Sequence, residues 1–452
     1  MAKPVQATKS KSQAKSSAKH AMLQQALQLA MHLHQSGKVA EAAQRYRAIL
    51  AMAPQQIDAL HYLGVAQHQL GQSHAAADLI RQVLVLQPDY IDAHNNLGNI
   101  LQEMGEAVEA EAAYRKVLAA RPQFAQAQNN LGVVLVAQGR FAEAIQAYRQ
   151  CLSMQAEFAE GWHNLGNALK KNGEIDECLT AYRQAILFAP YTPNAYLELA
   201  GALKVQRRYA EALDVYRQWQ KLEPDNPVIE HMIAALHGSD IPVRASDAYL
   251  QKTFDSFAAS FDEVLRGLEY RSPALAGQLV AQLLPPPAAN LAVLDVGCGT
   301  GLCAEYVKPY AKHLLGVDLS GGMLAQAAQR GLYDQLIEAE LTSFLQAQHA
   351  AFDVMICCDT LNYFGVLDEV MQAAAQALRG GGYFVVSLEK TPELMTDAAY
   401  TLHQHGRYSH TEAYLRQVTQ AAGLHLCQLQ DVVIRKESEQ DVVGWLLAMQ
   451  KV

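Results

Sequence analysis

Prolines fall at positions 54, 88, 122, 190 and 224, each 34 residues or twice 34 from the next. The member missing from that series is Ala156. Glycines keep the same interval at Gly37, Gly71, Gly105, Gly139 and Gly173. So do small residues at Ala42, Ala76, Ala110, Ala144, Cys178 and Ala212, and aromatics at Tyr46, Tyr114, Tyr148, Tyr182 and Tyr216, with Ile80 in the remaining slot. A register this long restricts the first half of the chain to a repeat array, in which each unit packs only on its neighbours. Each unit reads as two helices. The glycine sits in the turn between them, and the proline follows the second helix, which it cannot continue. The small residue permits close helix approach and the aromatic fills the space beside it.

These positions resemble the tetratricopeptide repeat. Asn95-Asn96-Leu97-Gly98-Asn99, Asn129-Asn130-Leu131-Gly132 and Trp162-His163-Asn164-Leu165-Gly166-Asn167 match its first helix. The resemblance covers residues 23–226 as six units, the last with Arg207 in the glycine slot. It implies a superhelix whose concave face takes protein partners. Asn96, Asn130 and Asn164 recur at one position on that face. A primary amide both donates and accepts, so a ladder of them suits an extended peptide; it equally suits bonding between neighbouring repeats.

The period is lost after Pro227. A mixed helical connector, 227–290, ends in Pro285-Pro286-Pro287. Next comes an apolar strand running into a glycine-rich turn, Leu291-Ala292-Val293-Leu294-Asp295-Val296-Gly297-Cys298-Gly299-Thr300-Gly301. Glycines there allow unusual dihedrals and let the backbone approach a ligand closely. A second strand, 313–320, carries Asp318, placed to accept both ribose hydroxyls of an adenosine. Strands are also expected over 336–341, 352–359 and 383–387, with a closing antiparallel pair over 424–435 and 442–451. Alternating strands and helices predict a doubly wound sheet with its ligand at the carboxyl ends of the strands.

Asp-Val-Gly-Cys-Gly-Thr-Gly, followed by Gly-Val-Asp-Leu-Ser and Met323-Leu324, resembles the Rossmann-like class I methyltransferases that use S-adenosylmethionine. The lead-in 254–262 with 268–273, and the segment 406–410 with Tyr414, are similar to bacterial predicted methyltransferases that carry these repeats. The fold expected is therefore an all-α tetratricopeptide superhelix followed by an α/β methyltransferase domain, 291–452, with a seven-stranded, mostly parallel sheet. The resemblance implies Asp295, Gly297, Gly299, Gly301, Asp318, Leu319, Met323, Glu340, Leu341 and Cys358 as cofactor residues. Phe254, Phe257 and Phe261 are either a lid over the cofactor or an ordinary apolar helix face. Arg407, Tyr408 and His410 are expected on a loop at the acceptor edge, His410 and Tyr408 in chemical roles and Arg407 as a carboxylate ligand, or else all three organise that loop. The segment after the fourth strand lacks an Asn-Pro-Pro-Tyr element, which argues against amide or exocyclic-amine methylation.

Half the residues are hydrophobic and 18% are charged, so both halves can bury cores. The net charge of −9 argues against general affinity for nucleic acid. No apolar run reaches the roughly 20 residues that span a bilayer. Residues 1–22 read as a disordered basic tail or a contact arm for an acidic partner; five lysines and no acid fall within the first 20. Seven scattered cysteines without metal-site spacing suit buried thiols in a reducing cytosol, and no metal is expected. Three functions remain open: a methyltransferase whose repeats recruit a protein, a small-molecule methyltransferase whose repeats serve assembly, and an inactive scaffold.

Overall fold

A computed structural model describes residues 21–238, 241–393, 398–437 and 440–452. Most of the expected basic tail, residues 1–20, lies outside the described residues. The chain divides into two compact units, Met1–Ala202 and Leu203–Val452.

The first unit consists of helical hairpins. Residues 21–35 pair with Val39–Met52, Ile57–Gln69 with Ser73–Leu86, and Ile91–Glu103 with Ala107–Ala120; Ala125–Ala137 pairs with Phe141–Met154, and Ala159–Lys171 with Ile175–Phe188. The five turn glycines have φ between +74° and +83°, and a Cβ on any of them would meet nothing within 4 Å. They are required by the left-handed backbone and not by crowding. The sixth turn is made by Arg207 at φ +55°. The residues ahead of Pro54, Pro88, Pro122 and Pro190 leave the helical region, with φ between −130° and −145° and ψ between 76° and 87°, as a following proline ring favours. Gln155, ahead of Ala156, adopts the same geometry without it, φ −140° and ψ 84°.

In four of the repeats a second glycine, in the first helix, makes the close approach; Ala30 and Ala200 stand in that position in the other two. A Cβ on Gly98, Gly132 or Gly166 would lie 2.7, 2.5 or 2.5 Å from the ring of Tyr114, Tyr148 or Tyr182, and one on Gly64 would lie 2.7 Å from Ile80. The framework aromatics are correspondingly buried. In these four hairpins the large residue, isoleucine or tyrosine, fills the space of the missing side chain and locks the two helices together.

The second unit begins in the last repeat, with helices Tyr209–Gln220 and Pro227–His237. The second of these is well delimited: Asn226 caps it by accepting the Val228 N–H at 3.1 Å, Pro227 opens its first turn, and Gly238 closes it at φ +71°. Helices Asp247–Phe257, Phe261–Gly267 and Ser272–Leu283 lead to the sheet. Ahead of the first of them, the Val243 carbonyl accepts the N–H groups of Gly365 and Val366, both at 2.9 Å, and the Ala245 N–H donates to the Tyr363 carbonyl at 2.8 Å.

The sheet has seven strands: β1 Leu291–Val296, β2 Ala311–Asp318, β3 Gln335–Glu338, β4 Phe352–Cys358, β5 Leu378–Glu389, β8 Leu424–Glu437 and β9 Gln440–Lys451, in the order β3-β2-β1-β4-β5-β9-β8. The first five run parallel; β9 pairs antiparallel with both β5 and β8. Val293, Leu294, Met355, Ile356, Val385 and Val386 are fully buried, as expected of strands covered on both faces. The direction of winding reverses between β1 and β4, which opens a crevice at their carboxyl ends. A separate hairpin pairs β6, Tyr400–Leu402, with β7, Tyr408–His410. Tyr408 and His410 are thus strand residues and not part of the expected loop.

Candidate active site

The β1 turn is built for close approach. The N–H groups of Gly297 and Cys298 donate to the Val317 carbonyl at 2.8 and 2.9 Å, which ties the turn to β2. Gly297, Gly299 and Gly301 have φ of +71°, +53° and +86°. A Cβ on Gly297 would lie 2.3 Å from the Thr360 hydroxyl, whereas the nearest atom to one on Gly299 is the Phe261 ring at 4.0 Å. Gly299 therefore faces open space. The Asp318 carboxylate accepts the Gly299 N–H at 2.8 Å and the Ser320 N–H at 2.9 Å. Burial raises the affinity of Asp318 for its proton, an effect these N–H donors only partly offset. Each carboxylate oxygen retains a lone pair for a ligand hydroxyl.

A cavity of about 300 Å³ opens here, lined by Gly297, Gly299, Asp318, Leu319, Met323, Glu340, Leu341 and Cys358, all expected from the sequence. Asp295 and Gly301 are not among its walls. Asp295 is buried behind the turn, accepting the Tyr333 hydroxyl at 2.6 Å; burial pushes its carboxyl up to about 7. Gly301 is the space that Tyr333 fills, since a Cβ there would lie 2.9 Å from its ring. Both residues support the turn from behind, and Tyr333, which the sequence reading missed, is their common partner. Glu340 caps helix Leu341–Gln346, accepting the N–H groups of Thr342 and Ser343 at 2.9 and 2.8 Å. Burial would raise its carboxyl, but these donors and Arg244 outweigh it and hold it below the usual range.

Phe254, Phe257 and Phe261 line the cavity together with Tyr363. Their ring centroids are 5.4–6.2 Å apart, and Phe254 meets Tyr363 edge-on at 5.4 Å. Two acids anchor this aromatic wall. Asp255 accepts the Ser320 hydroxyl at 2.5 Å and the Gly322 N–H at 3.0 Å. Asp262 accepts the Thr300 hydroxyl at 2.5 Å and pairs with Arg330, which donates to the Thr300 carbonyl at 2.6 Å. The aromatic segment is thereby fastened directly to the glycine turn and to the start of helix Gly321–Gln329.

At the other end, the cavity meets Tyr270, Asp359, Arg407, Arg435 and Glu437. Arg407 donates to Glu389 and to Glu437, both at 2.5 Å. Arg435 donates to Glu437 at 2.8 Å and pairs with Glu389. Glu389 is buried, which opposes its charge, yet Arg407 and Arg435 hold its carboxyl down at about 2. Arg407 thus binds two carboxylates of the protein itself through Nε and Nη2. Asp359, immediately after β4, takes φ +59° and accepts the Ser387 and Ser272 hydroxyls at 2.9 and 3.2 Å. Asp359, Arg435 and Glu389 carried no motif in the sequence; only the proximity of β4, β5 and β8 unites them.

Tyr408 and His410 are absent from the cavity wall, and the chemical roles expected for them are corrected. Both are fully buried. The Tyr408 hydroxyl donates to the Pro242 carbonyl at 2.7 Å. The His410 Nε2–H meets the Gly365 carbonyl at 3.1 Å, and burial pushes its imidazole down to about 4, leaving it neutral. They join β7 to the segments beside β4. In the first unit, the side-chain nitrogens of Asn96, Asn130 and Asn164 reach back to the preceding repeat, to His61 at 2.8 Å, Asn99 at 3.1 Å and Asn129 at 3.1 Å. The ladder bonds repeat to repeat.

Comparison with known proteins matches two separate stretches of the chain. A methyltransferase-domain family model matches residues 294–386, and a tetratricopeptide-repeat model matches 27–91, 95–157 and 163–227. A ubiquinone biosynthesis O-methyltransferase from Idiomarina loihiensis is 30% identical over 185 residues, 35% of this chain and 74% of that protein. The chain belongs to the class I methyltransferases that carry tetratricopeptide repeats. Methyltransferase-like protein 27 from Homo sapiens is 36% identical to this methyltransferase over 138 residues, 30% of the chain, which spans about half (54%) of that relative's length. A ubiquinone biosynthesis O-methyltransferase from Aeromonas salmonicida is 26% identical over 169 residues, 34% of the methyltransferase and 70% of the relative. Among the described residues of the methyltransferase, no helix is long and apolar enough to cross a membrane.

Proposed function

We propose that the second unit transfers the methyl group of S-adenosylmethionine to an acceptor that a protein held by the repeats recruits or presents, in the cytoplasm. The observation carrying this is Asp318 fastened to the Gly299 N–H beside open space at the carboxyl edge of the sheet. The cofactor, when bound, supplies a methyl group activated on a positively charged sulfur. Asp318 accepts the ribose hydroxyls with its remaining lone pairs. The backbone at Gly299 admits the chain that joins ribose to sulfur, because a Cβ there would face open space. Glu340 and Leu341 border the adenine.

Phe254, Phe257 and Phe261 keep water from the reacting end, and the remaining work is alignment of acceptor and methyl. The acceptor lies toward Asp359 and Arg435. The two O-methyltransferase relatives suggest that its reacting atom is oxygen. The repeats serve a protein partner through faces other than the Asn ladder, whose amide nitrogens are already engaged.

Calorimetric titration of the full chain with S-adenosylmethionine and S-adenosylhomocysteine tests the reading. Saturable one-to-one binding is expected. No binding at millimolar ligand would refute it.

A further inference from the structure

We infer that His231 is a positioning residue that holds two separate walls of the cavity in place, the aromatic helix Asp247–Phe257 and the segment carrying Arg407. The inference rests on the methyl-transfer reading of that cavity.

His231 lies on helix Pro227–His237, directly after the last repeat, and is 4% exposed. Its Nε2 is 2.8 Å from the Gly406 carbonyl. Its ring stacks on Tyr249, centroids 4.0 Å apart at 23°. Tyr249 sits on the helix that contributes Leu250, Phe254 and Phe257 to the cavity. Gly406 immediately precedes Arg407, whose guanidinium lines the opposite end. One imidazole thus touches a partner next to each wall.

The junction is closed around Gly406. Its φ is +93°, and a Cβ there would lie 3.2 Å from the Met232 sulfur, 3.2 Å from the Tyr249 hydroxyl and 3.5 Å from the His231 ring. The three elements meet with no room for a side chain between them. Because a carbonyl can only accept, the Nε2 of His231 carries the proton. Burial favours the neutral ring, which suits a stack on a tyrosine. A neutral ring with one fixed donor specifies both distance and angle, as a simple apolar contact would not. The helix directly after the last repeat is therefore part of the framework of the catalytic unit.

Hydrogen exchange of the full chain, read by mass spectrometry, tests this with His231→Ala and His231→Gln. For His231→Ala, exchange is expected to rise together over 247–257 and 403–410, with a cooperative melt retained and S-adenosylhomocysteine affinity several-fold weaker. Gln can still donate to the Gly406 carbonyl but cannot stack. His231→Gln should therefore restore protection over 403–410 and not over 247–257. Unchanged exchange in both segments, or a rise spread evenly over the unit in both variants, would overturn the proposal. Failure of the wild-type chain to bind S-adenosylhomocysteine would strike the methyl-transfer reading instead, and the exchange pattern would still decide whether His231 holds both segments.

Discussion

Asp318 and Gly299 are joined by a 2.8 Å hydrogen bond from the turn amide to the carboxylate, so the acid at the end of β2 fixes the shape of the turn after β1. Removing the carboxylate takes away both a ligand contact and the turn's anchor. Asp318→Ala is expected to weaken S-adenosylhomocysteine binding tenfold or more, about 1.4 kcal/mol. Asp295→Asn, behind the turn and off the cavity wall, should change it far less. Calorimetry on both variants makes the comparison, and equal effects would mean the ribose site is misplaced.

Gly297→Ala places a methyl group 2.3 Å from the Thr360 hydroxyl on a backbone at φ +71°. Left-handed strain and overpacking together cost about 2–4 kcal/mol. The melting temperature of the catalytic unit should fall by roughly 5–10 °C. Adding Thr360→Ala should recover only part of the packing cost, because its Cβ would still lie 2.7 Å from the new methyl; full recovery, or none, would contradict this account.

His410 makes the acid stability of the fold asymmetric. Its folded-state pKa, about 4, lies below the ordinary value of 6.5. Its contribution is complete above pH 6.5 and is lost as pH falls toward 4, because the unfolded chain takes the proton first. The loss approaches about 3 kcal/mol. Urea midpoints measured from pH 7.5 to 4.5 should fall less steeply for His410→Gln than for the wild type. Parallel slopes would show that another group governs the acid limb.

Arg207 occupies a turn position where five other repeats have glycine, at φ +55°. A non-glycine residue there costs roughly 1–2 kcal/mol, offset in part by the greater flexibility of unfolded glycine. Arg207→Gly should stabilise by about 0.5–1 kcal/mol, readable as a small rise in urea midpoint. A fall would mean that the arginine side chain holds something the backbone argument omits.

Asn130 donates to Asn99 of the preceding repeat at 3.1 Å. Asn130→Ala should cost about 1 kcal/mol of array stability. A partner recovered with the wild-type chain should still bind the variant. Loss of the partner with unchanged melting would restore the peptide-gripping reading of the ladder.

What the sequence revealed and what it hid follow from the range of the interactions. The 34-residue frame and the glycine turn are local, so the hairpins and the alternation of strands and helices were legible from spacing, and eight of the cofactor residues implied by the resemblance line the cavity. Glu340 was placed in a strand, but β3 ends at Glu338 and Glu340 caps the next helix. A cap and a strand end look alike in a short apolar run. Tyr408 and His410 were misread because a three-residue hairpin has too little period to detect, and their burial depends on segments more than forty residues away. The cluster of Asp359, Glu389, Arg407 and Arg435 comes from four places in the chain and has no linear signature.

The pairing of Gly98 with Tyr114, repeated as Gly132 with Tyr148 and Gly166 with Tyr182, gives successive hairpins the same joint between their two helices. Duplicating or deleting 34 residues in register would leave the joint inside each remaining hairpin intact. The array can therefore lengthen or shorten by whole modules while every internal joint stays native, so its reach is free to change without redesign of its core.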